Sequence, residues 1–286
     1  MSIFKNKICI VTGGAQGIGH SLCVELARHG AYVVMADINF KQLEKETQSL
    51  LEKGLKVMAV ELDVTDESAF KSIIQEKAGE YGRLDYLFNV AGTAVVGETQ
   101  DLTIDHWTKV FDVNLNGVAY GTFHAYQLMA KQGSGHIINL ASVEGVLPFP
   151  SSVAYVGTKH AVFGITESLW VEAADMGIDL TVVCPGFIRT PMLTDSEAVN
   201  TSMDVWRGSF LVVLFEKLAA ATADTCAKMI LKGVAKKKAI VFTPKIGWLF
   251  WLNYRIWPTG YMRMLRFFHR MDRKRIKKLK GTANPS

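Results

Sequence analysis

The chain has 286 residues, of which 49% are hydrophobic, 21% are charged and only 7 are prolines. Such a composition can bury a sizeable core, which excludes disordered, collagen-like and low-complexity proteins. The length exceeds the common domain size of about 100–200 residues, but doubly wound α/β units often reach about 250. We therefore predict one unit, residues 1–244, followed by an extension, residues 245–286.

The formal net charge of +5 is unevenly distributed. Residues 245–286 hold eleven Lys and Arg against one acid, a charge of +10, so residues 1–244 carry −5. Affinity for a polyanion is therefore expected of the extension and not of the fold as a whole.

The cysteines and the N-terminus indicate the compartment. Four widely separated cysteines form no Cys-x-x-Cys pair, which suggests neither a disulfide framework nor a metal site. The lysine-containing segment before residue 8 is too short for the apolar region of a signal peptide. These features favour a reducing, cytoplasmic location.

Short runs rich in β-branched residues alternate along the chain with segments that have apolar residues at helical spacing. The runs, predicted as buried strands, are 8–11, 32–36, 57–62, 85–90, 136–140, 180–184 and 239–242. The helical segments include 17–29, 39–53, 66–80, 105–131 and 153–176. This alternation predicts an α/β fold with a parallel sheet of about seven strands, in which right-handed crossovers place helices on both faces.

The first predicted strand ends in a glycine-rich turn that opens a helix, Thr12-Gly13-Gly14-Ala15-Gln16-Gly17-Ile18-Gly19. Glycines allow the tight turn, and bare backbone lets a pyrophosphate approach the amide groups at the helix N-terminus. The second strand is followed by Asp37, which lies 20 residues beyond Gly17. A carboxylate there can accept hydrogen bonds from the adenosine ribose and would repel the 2′-phosphate of NADP, so the sequence favours NAD.

Tyr155 and Lys159 stand four residues apart in the segment 153–176, so both project from one face of the predicted helix. Tyrosine, with an ordinary pKa of about 10, is a poor acid–base catalyst at neutral pH unless a cation stabilises its phenolate. Lys159 can supply that cation. Taken alone, however, such a pair is more typical of a solvated helix surface.

Together these residues resemble the short-chain dehydrogenase/reductase superfamily over about residues 5–243. The likeness rests on motifs in the family's order: the turn 12–19, Asp63-Val64, Asn89-Val90-Ala91-Gly92, Asn114, Ser142, Tyr155-Val156-Gly157-Thr158-Lys159 and Pro185-Gly186-Phe187-Ile188-Arg189-Thr190. One departure is Val90, where many members have a second Asn. The resemblance implies a Rossmann-type sheet, a nicotinamide-dependent oxidoreductase acting on CH–OH groups, and a homo-oligomer.

Four residues would form the catalytic group that the resemblance implies. Tyr155 would exchange a proton with the substrate oxygen, and Ser142 would orient that oxygen through a hydrogen bond. Lys159 would hold the nicotinamide ribose and lower the tyrosine pKa, while Asn114 would position a water that links Lys159 to solvent. Taken singly, Ser142 is equally typical of a helix cap and Asn114 of a core amide.

The resemblance also implies a cofactor site. Asp63 and Val64 would contact the adenine, and Asn89 would fix the loop beside the adenosine. Ile188 and Thr190 would hold the nicotinamide carboxamide and so select the ring face that receives hydride. The expected set is Gly13, Gln16, Gly17, Ile18, Gly19, Asp37, Asp63, Val64, Asn89, Ala91, Gly92, Tyr155, Lys159, Pro185, Gly186, Ile188 and Thr190.

The segment near 190–216 corresponds to the family's variable lid over the substrate. Its apolar run 210–215 suits a hydrophobic secondary alcohol or ketone, such as a lipid, steroid or retinoid-like molecule. Packing of that run on the core or on a partner subunit is an equally weighted alternative. A 3-oxoacyl-thioester reductase is the alternative enzyme, and a catalytically silent NAD-binding scaffold is the alternative from another class.

The extension combines tryptophans and aliphatic residues with Arg and Lys. Its apolar run before Arg255 is far below the roughly 20 residues that span a bilayer. Docking on an anionic membrane surface, or a cap over the substrate cleft or a partner subunit, are the two leading interpretations. A nucleic-acid arm is disfavoured because the apolar residues fit bilayer or protein burial better than phosphate binding.

Overall fold

The computed structural model describes residues 2–282, so the last four residues of the extension lie outside the described residues. The predicted strands form one parallel sheet in the order β7-β6-β5-β4-β1-β2-β3. They are β1 (Ile8–Thr12), β2 (Tyr32–Asp37), β3 (Val57–Glu61), β4 (Tyr86–Asn89), β5 (Gly135–Leu140), β6 (Ile178–Pro185) and β7 (Ile240–Thr243). The direction of the strand order reverses between β1 and β4, which places a crevice beyond the carboxyl ends of these strands.

Six helices connect these strands: α1 (Gly17–Arg28), α2 (Phe40–Leu51), α3 (Glu67–Tyr81), α4 (Ile104–Phe111), α5 (Gly117–Gln132) and α6 (Val153–Glu172). Buried side chains from the helices and strands form separate core clusters, one including Leu22 and Leu26 of α1 and another including Phe70 and Ile74 of α3. The predicted fold class, a doubly wound α/β sheet with helices on both faces, is therefore confirmed.

The segment 105–131, predicted as one helical stretch, is divided in the structure. A π-helical turn, Asp112–Asn116, joins α4 to α5. The segments on both sides of the turn have helical spacing, so a pattern read over the whole stretch does not reveal one wider turn within it. The turn contains the completely buried Asn114, and π-turns within helices often occur at functional sites.

Six further helices follow β6: α7 (Met192–Asp195), α8 (Met203–Arg207), α9 (Phe210–Ala219), α10 (Ala223–Val234), α11 (Gly247–Ile256) and α12 (Pro258–Thr282). Val212 and Phe215 of α9 are buried in a core cluster that also contains Tyr261 and Leu265 of α12. Val212 and Phe215 of the apolar run 210–215 thus pack on the core, and the extension packs against the helix of the predicted lid. None of the described helices is both long enough and apolar enough to cross a bilayer.

Candidate active site

A cavity of about 440 Å³ opens at the carboxyl ends of the central strands. Among the residues predicted to hold a cofactor, all except Asn89 line this cavity, and Ser142 lines it too. Residues from the glycine-rich turn, from the ends of β2, β4, β5 and β6, and from α6 therefore meet at one place. Asn89 and Asn114 lie behind the wall rather than on it.

The glycine-rich turn is packed too closely for side chains. Gly13 has a φ of +70°, and a Cβ added there would lie 3.0 Å from backbone atoms of Ala91. A Cβ added to Gly19 would lie 2.0 Å from the carbonyl oxygen of Gly13. This packing holds the start of α1 against the turn, where Gly17, Ile18 and Gly19 line the cavity. The first amide groups of a helix have no intrahelical acceptor, so this end of α1 can bind an anion.

Asp37 ties the end of β2 to the same turn. Its Oδ2 accepts a hydrogen bond from the Ala15 amide at 3.0 Å, and its Oδ1 accepts one from the Asn39 amide at 2.9 Å. A carboxylate has lone pairs for about four hydrogen bonds, so Asp37 retains the capacity to accept two more. The cavity lining contains a second acid, Asp63, and Lys159 is the single cation among its described residues.

Thr12 holds the glycine-rich turn against the end of β4. The sequence interpretation included Thr12 in the turn motif but did not assign it to the site. Its Oγ1 accepts hydrogen bonds from the amides of Val90 at 2.9 Å and Ala91 at 3.1 Å. Asn89 lies behind the cavity wall, where its Nδ2 donates to Asn139 Oδ1 at 2.8 Å and to Thr122 Oγ1 at 3.2 Å. Both side chains therefore fix the wall that Ala91 and Gly92 present to the cavity.

The side-chain amide of Asn114 forms hydrogen bonds with the loop that follows β4. Its Oδ1 accepts from the Thr93 amide at 2.8 Å, and its Nδ2 donates to the Thr93 carbonyl oxygen at 2.8 Å. Gly92 lies between this amide and Lys159, because a Cβ on Gly92 would lie 3.1 Å from Asn114 Oδ1 and 3.8 Å from Lys159 Nζ. The side chain of Asn114 thus positions the loop, and its part in a water relay stays a prediction.

Lys159 and Tyr155 project from α6 toward the end of β5. The ammonium group of Lys159 donates to the Leu140 carbonyl oxygen at 2.8 Å and lies 5.5 Å from the centre of the Tyr155 ring. Burial lowers the pKa of Lys159 to about 8. Burial also raises the pKa of Tyr155 above its ordinary value, the carboxyl of Glu144 raises it further, and a hydrogen bond with Ser142 lowers it.

Glu144 is a polar residue in contact with Ser142 that the sequence interpretation did not assign to the site. Its amide donates to Ser142 Oγ at 3.1 Å, and its Oε2 accepts from Ser152 Oγ at 2.8 Å. Burial raises the pKa of its carboxyl to about 7. The signal in the sequence is a single acid among apolar residues that become buried, namely Val143, Val146, Leu147 and Phe149.

The lid and the extension meet beside this cleft. Phe210, the first residue of α9, donates its amide hydrogen to Asp272 Oδ1 of α12 at 2.8 Å, and its ring stacks on Phe268 with centroids 4.5 Å apart. Arg273 Nε lies 2.9 Å from Glu98 Oε1. A second cavity of about 270 Å³ lies between the lid, α12 and the segment Phe149–Ser151. The extension is therefore attached to the segment that was predicted to be the lid over the substrate.

Known proteins resemble this chain in sequence and in fold. The family model described as short chain dehydrogenase matches residues 7–200. Cyclohexanol dehydrogenase from Acinetobacter sp. (strain SE19) is 34% identical over 195 residues, which are 68% of this chain and 78% of that protein. The 3beta-hydroxysteroid dehydrogenase of Mediterraneibacter gnavus is 36% identical over 205 residues, 71% of this chain and 74% of that protein.

A solved structure shows the same architecture. The short chain dehydrogenase/reductase from Burkholderia phymatum, in complex with NAD, superimposes with a TM-score of 0.77 and 26% identity, covering 86% of this chain and 92% of that one. The extension lies beyond the residues that the family model matches. The chain belongs to the short-chain dehydrogenase family, whose members are oxidoreductases that act on hydroxyl groups.

Proposed function

We propose that the protein is an NAD-dependent dehydrogenase that transfers hydride between nicotinamide and a hydrophobic secondary alcohol or ketone. The observation that carries the proposal is the convergence of Ser142, Tyr155 and Lys159 on the cavity that also contains the glycine-rich turn and Asp37. A hydroxyl group, a phenol and an ammonium at one wall match acid–base work on a substrate oxygen.

The cavity fits a dinucleotide. The glycine-rich turn presents bare backbone to the cavity, the N-terminus of α1 suits a pyrophosphate, and Asp37 can accept hydrogen bonds from ribose hydroxyls. Asp63 and Val64 would hold the adenine, and Ile188 and Thr190 the carboxamide. When bound, the cofactor supplies the acceptor or donor of hydride.

The choice of NAD over NADP rests on charge. A 2′-phosphate would lie beside the carboxylate of Asp37, and the residues that follow, Ile38 and Asn39, carry no charge to offset the repulsion. Lys159, the single described cation of the lining, belongs to the catalytic wall. These features support NAD.

The chain's own residues would manage the proton. Ser142 Oγ would donate a hydrogen bond to the substrate oxygen and hold it near the Tyr155 hydroxyl. Tyr155 would take the proton from an alcohol or return it to a ketone. Because burial raises the pKa of Tyr155, the phenolate needs stabilisation, which the neighbouring Lys159 can provide in its protonated form. Asn114 would hold the loop beside Lys159 and position the water of the relay.

The wall around the reacting atoms supports an apolar substrate. The cavity that contains Ser142 and Tyr155 is also lined by apolar residues, namely Val113, Leu140, Ala141, Met192 and Leu193. The relatives named for cyclohexanol and for a 3β-hydroxysteroid take their names from cyclic secondary alcohols. We therefore place lipid, steroid or retinoid-like secondary alcohols first among the substrates.

The direct test offers the purified protein NAD or NADP together with cyclohexanol or a 3β-hydroxysteroid and follows the absorbance of the reduced nicotinamide. NAD-dependent oxidation that is faster with the steroid supports the proposal. Better use of NADP would overturn the cofactor choice. Binding of NAD without turnover of any secondary alcohol or ketone would instead support the silent scaffold.

Assembly and location complete the proposal. We propose a homo-oligomer, supported by exposed apolar side chains on α5 and α6, namely Phe123, Val153, Trp170 and Val171. Light scattering coupled to gel filtration tests it. We also propose a reducing, cytoplasmic compartment, supported by four free and buried cysteines.

A further inference from the structure

The helix α11 has two opposite faces that are both apolar. Gly247, Phe250, Trp251 and Tyr254 point toward the protein, where Trp251 packs on Phe163 and Phe242 and Phe250 on Phe215. The other face is exposed although it carries large apolar residues, namely Trp248, Leu249, Leu252 and Ile256. At 100° per residue these four side chains span an arc of about 100°. The helix thus buries one apolar face and presents another to its surroundings.

The helix α12 also has one buried face and one exposed apolar face, and basic residues border the exposed apolar face. Tyr261, Leu265 and Asp272 are buried against the lid. Met264, Phe267 and Met271, at the spacing i, i+3, i+7, form an exposed apolar stripe beside the buried face. Beyond the stripe lie exposed basic residues, which are Arg263, Arg266, Arg270 and Lys274. Trp257, 60% exposed, stands at the junction of the two helices.

The basic residues are available to an external anion. Seven Lys and Arg side chains of the extension are described, namely Lys245, Arg255, Arg263, Arg266, Arg270, Arg273 and Lys274. Within the described part of the chain only Arg273 among them forms an ion pair, with Glu98. The one acid of the extension, Asp272, is buried and engaged with Phe210. An apolar surface bordered by unpaired cations is complementary to the interface of an anionic bilayer.

We propose that the outer surface of α11 and α12 docks on an anionic lipid bilayer. The surface comprises the apolar residues Trp248, Leu249, Leu252, Ile256, Trp257, Met264, Phe267 and Met271 with the basic residues Arg263, Arg266, Arg270 and Lys274. A second copy of the chain fits less well, because a two-fold contact through this surface would bring like charges together. Tryptophan at a helix junction beside basic residues is typical of the headgroup region.

Docking there would place the lid close to the bilayer. Phe210 at the start of α9 contacts both Phe268 and Asp272 of α12, so the lid and the docking surface belong to the same packed unit. That the bilayer supplies an apolar alcohol to the lid rests on the proposed function. The docking itself does not, since it is measured without turnover.

The experiment is co-sedimentation of the full-length protein with phosphatidylcholine vesicles that contain or lack phosphatidylserine. We expect sedimentation with the anionic vesicles alone, weakened by salt because exposed charges are screened over about 8–10 Å at physiological ionic strength. Point variants are preferable to truncation, since Tyr261 and Leu265 are part of the core. The triple change Arg263→Glu, Arg270→Glu and Lys274→Glu should weaken binding by about a hundredfold or more. This expectation follows because the loss of each cation near the membrane surface weakens binding by about tenfold or less.

Matched controls separate the surface from general effects. The triple change Lys53→Glu, Lys71→Glu and Lys131→Glu alters the net charge equally on exposed positions elsewhere and should leave most of the binding. Ile256→Ser should weaken it about tenfold, whereas Ile104→Ser, at a position of nearly equal exposure (76% against 75%), should not.

Several outcomes would overturn the proposal. The first is that the full-length protein stays in the supernatant with anionic vesicles. The second is that the control variants lose as much binding as the surface variants do. The third is that Ile256→Ser dissociates oligomers of the protein in the absence of vesicles. The last outcome would assign the surface to a second copy. Vesicle binding by a protein that turns over no alcohol would contradict the proposed function and leave the docking proposal intact.

Discussion

The catalytic cleft and the outer surface of the extension use polar and apolar groups in opposite ways. In the cleft, Lys159 and Asn114 are buried polar residues with specific partners, which are Leu140 and Thr93 respectively. On the extension, large apolar side chains are exposed and cations surround them. The cleft therefore depends on the placement of single atoms, whereas the surface depends on a sum over many side chains. Single conservative changes should affect the first strongly and the second weakly.

The largest effect is expected from Tyr155→Phe, which removes one oxygen. The change takes away the transferable proton and little of the cofactor contact, so kcat should fall by about 10² to 10⁴-fold while NAD affinity changes little. Steady-state kinetics and a fluorescence titration with NAD check the two parts. Tyr126→Phe, on α5 outside the cavity lining, is the control and should retain full activity. Retained turnover in Tyr155→Phe would remove the basis of the proposed mechanism.

A smaller effect is expected at the other end of the cleft. Asp37→Ala with Ile38→Arg removes a carboxylate and adds a cation, so the ratio of kcat/KM for NADP to that for NAD should rise roughly ten- to a hundredfold. Ile38→Arg alone should give only part of the shift. Because Asp37 also accepts from the amides of Ala15 and Asn39, the double variant should bind NAD more weakly as well. An unchanged ratio would contradict the role given to Asp37.

The sequence predicted the cleft better than the extension, and the reason is physical. Strands buried on both faces and a glycine turn have local signatures, so the seven strands and the turn at Gly13–Gly19 followed from short patterns. The π-helical turn at Asn114 has no such signature, because it lies between two segments that are both helical.

Long-range contacts explain the remaining differences. The bonds of Thr12 to Val90 and Ala91 join residues about 80 positions apart, and no local pattern encodes them. Likewise, the composition of the extension indicated that its apolar residues are buried in protein or in a bilayer. It did not indicate which helix face packs on the protein and which face is exposed. The structure divides the faces: Tyr261 and Leu265 pack with the lid, while Phe267 and Met271 are exposed.

Glu144 offers a test of how the cleft tolerates charge. Burial raises the pKa of its carboxyl from 4.5 to about 7, so the folded protein keeps a proton that the unfolded chain releases. The free energy of unfolding should therefore fall as the pH rises from about 4.5 to about 7 and then stay level. Glu144→Gln has no carboxyl group to titrate, so its free energy of unfolding should not fall in this way, and its amide oxygen still accepts a hydrogen bond from Ser152. On going from pH 5 to pH 8 the variant should gain about 1–2 kcal/mol relative to the parent, a value reduced for the partial exposure of the side chain.

Chemical denaturation at the two pH values measures this difference. Glu44→Gln, at an exposed position of α2, is the control and should behave as the parent does. Since the ionised carboxyl of Glu144 also raises the pKa of Tyr155, the alkaline limb of the rate profile should move to lower pH in Glu144→Gln. A parallel pH dependence of stability in variant and parent would show that the carboxyl is solvated.

The smallest effects are expected where the extension contacts the rest of the protein, and two contacts there can be compared. Asp272 is buried and accepts from the amide of Phe210, the first residue of α9, so it satisfies a helix N-terminus from another helix. Asp272→Ala leaves that amide without its acceptor and should cost about 1–2 kcal/mol. The ion pair of Glu98 with Arg273 joins side chains that are 28% and 47% exposed, so Glu98→Gln should cost less than about 1 kcal/mol, and less still in high salt. Denaturation of both variants gives the order, and KM for a 3β-hydroxysteroid against that for cyclohexanol reports on the lid. A larger loss in Glu98→Gln than in Asp272→Ala would show that exposed charge, and not buried capping, contributes more to holding the extension in place.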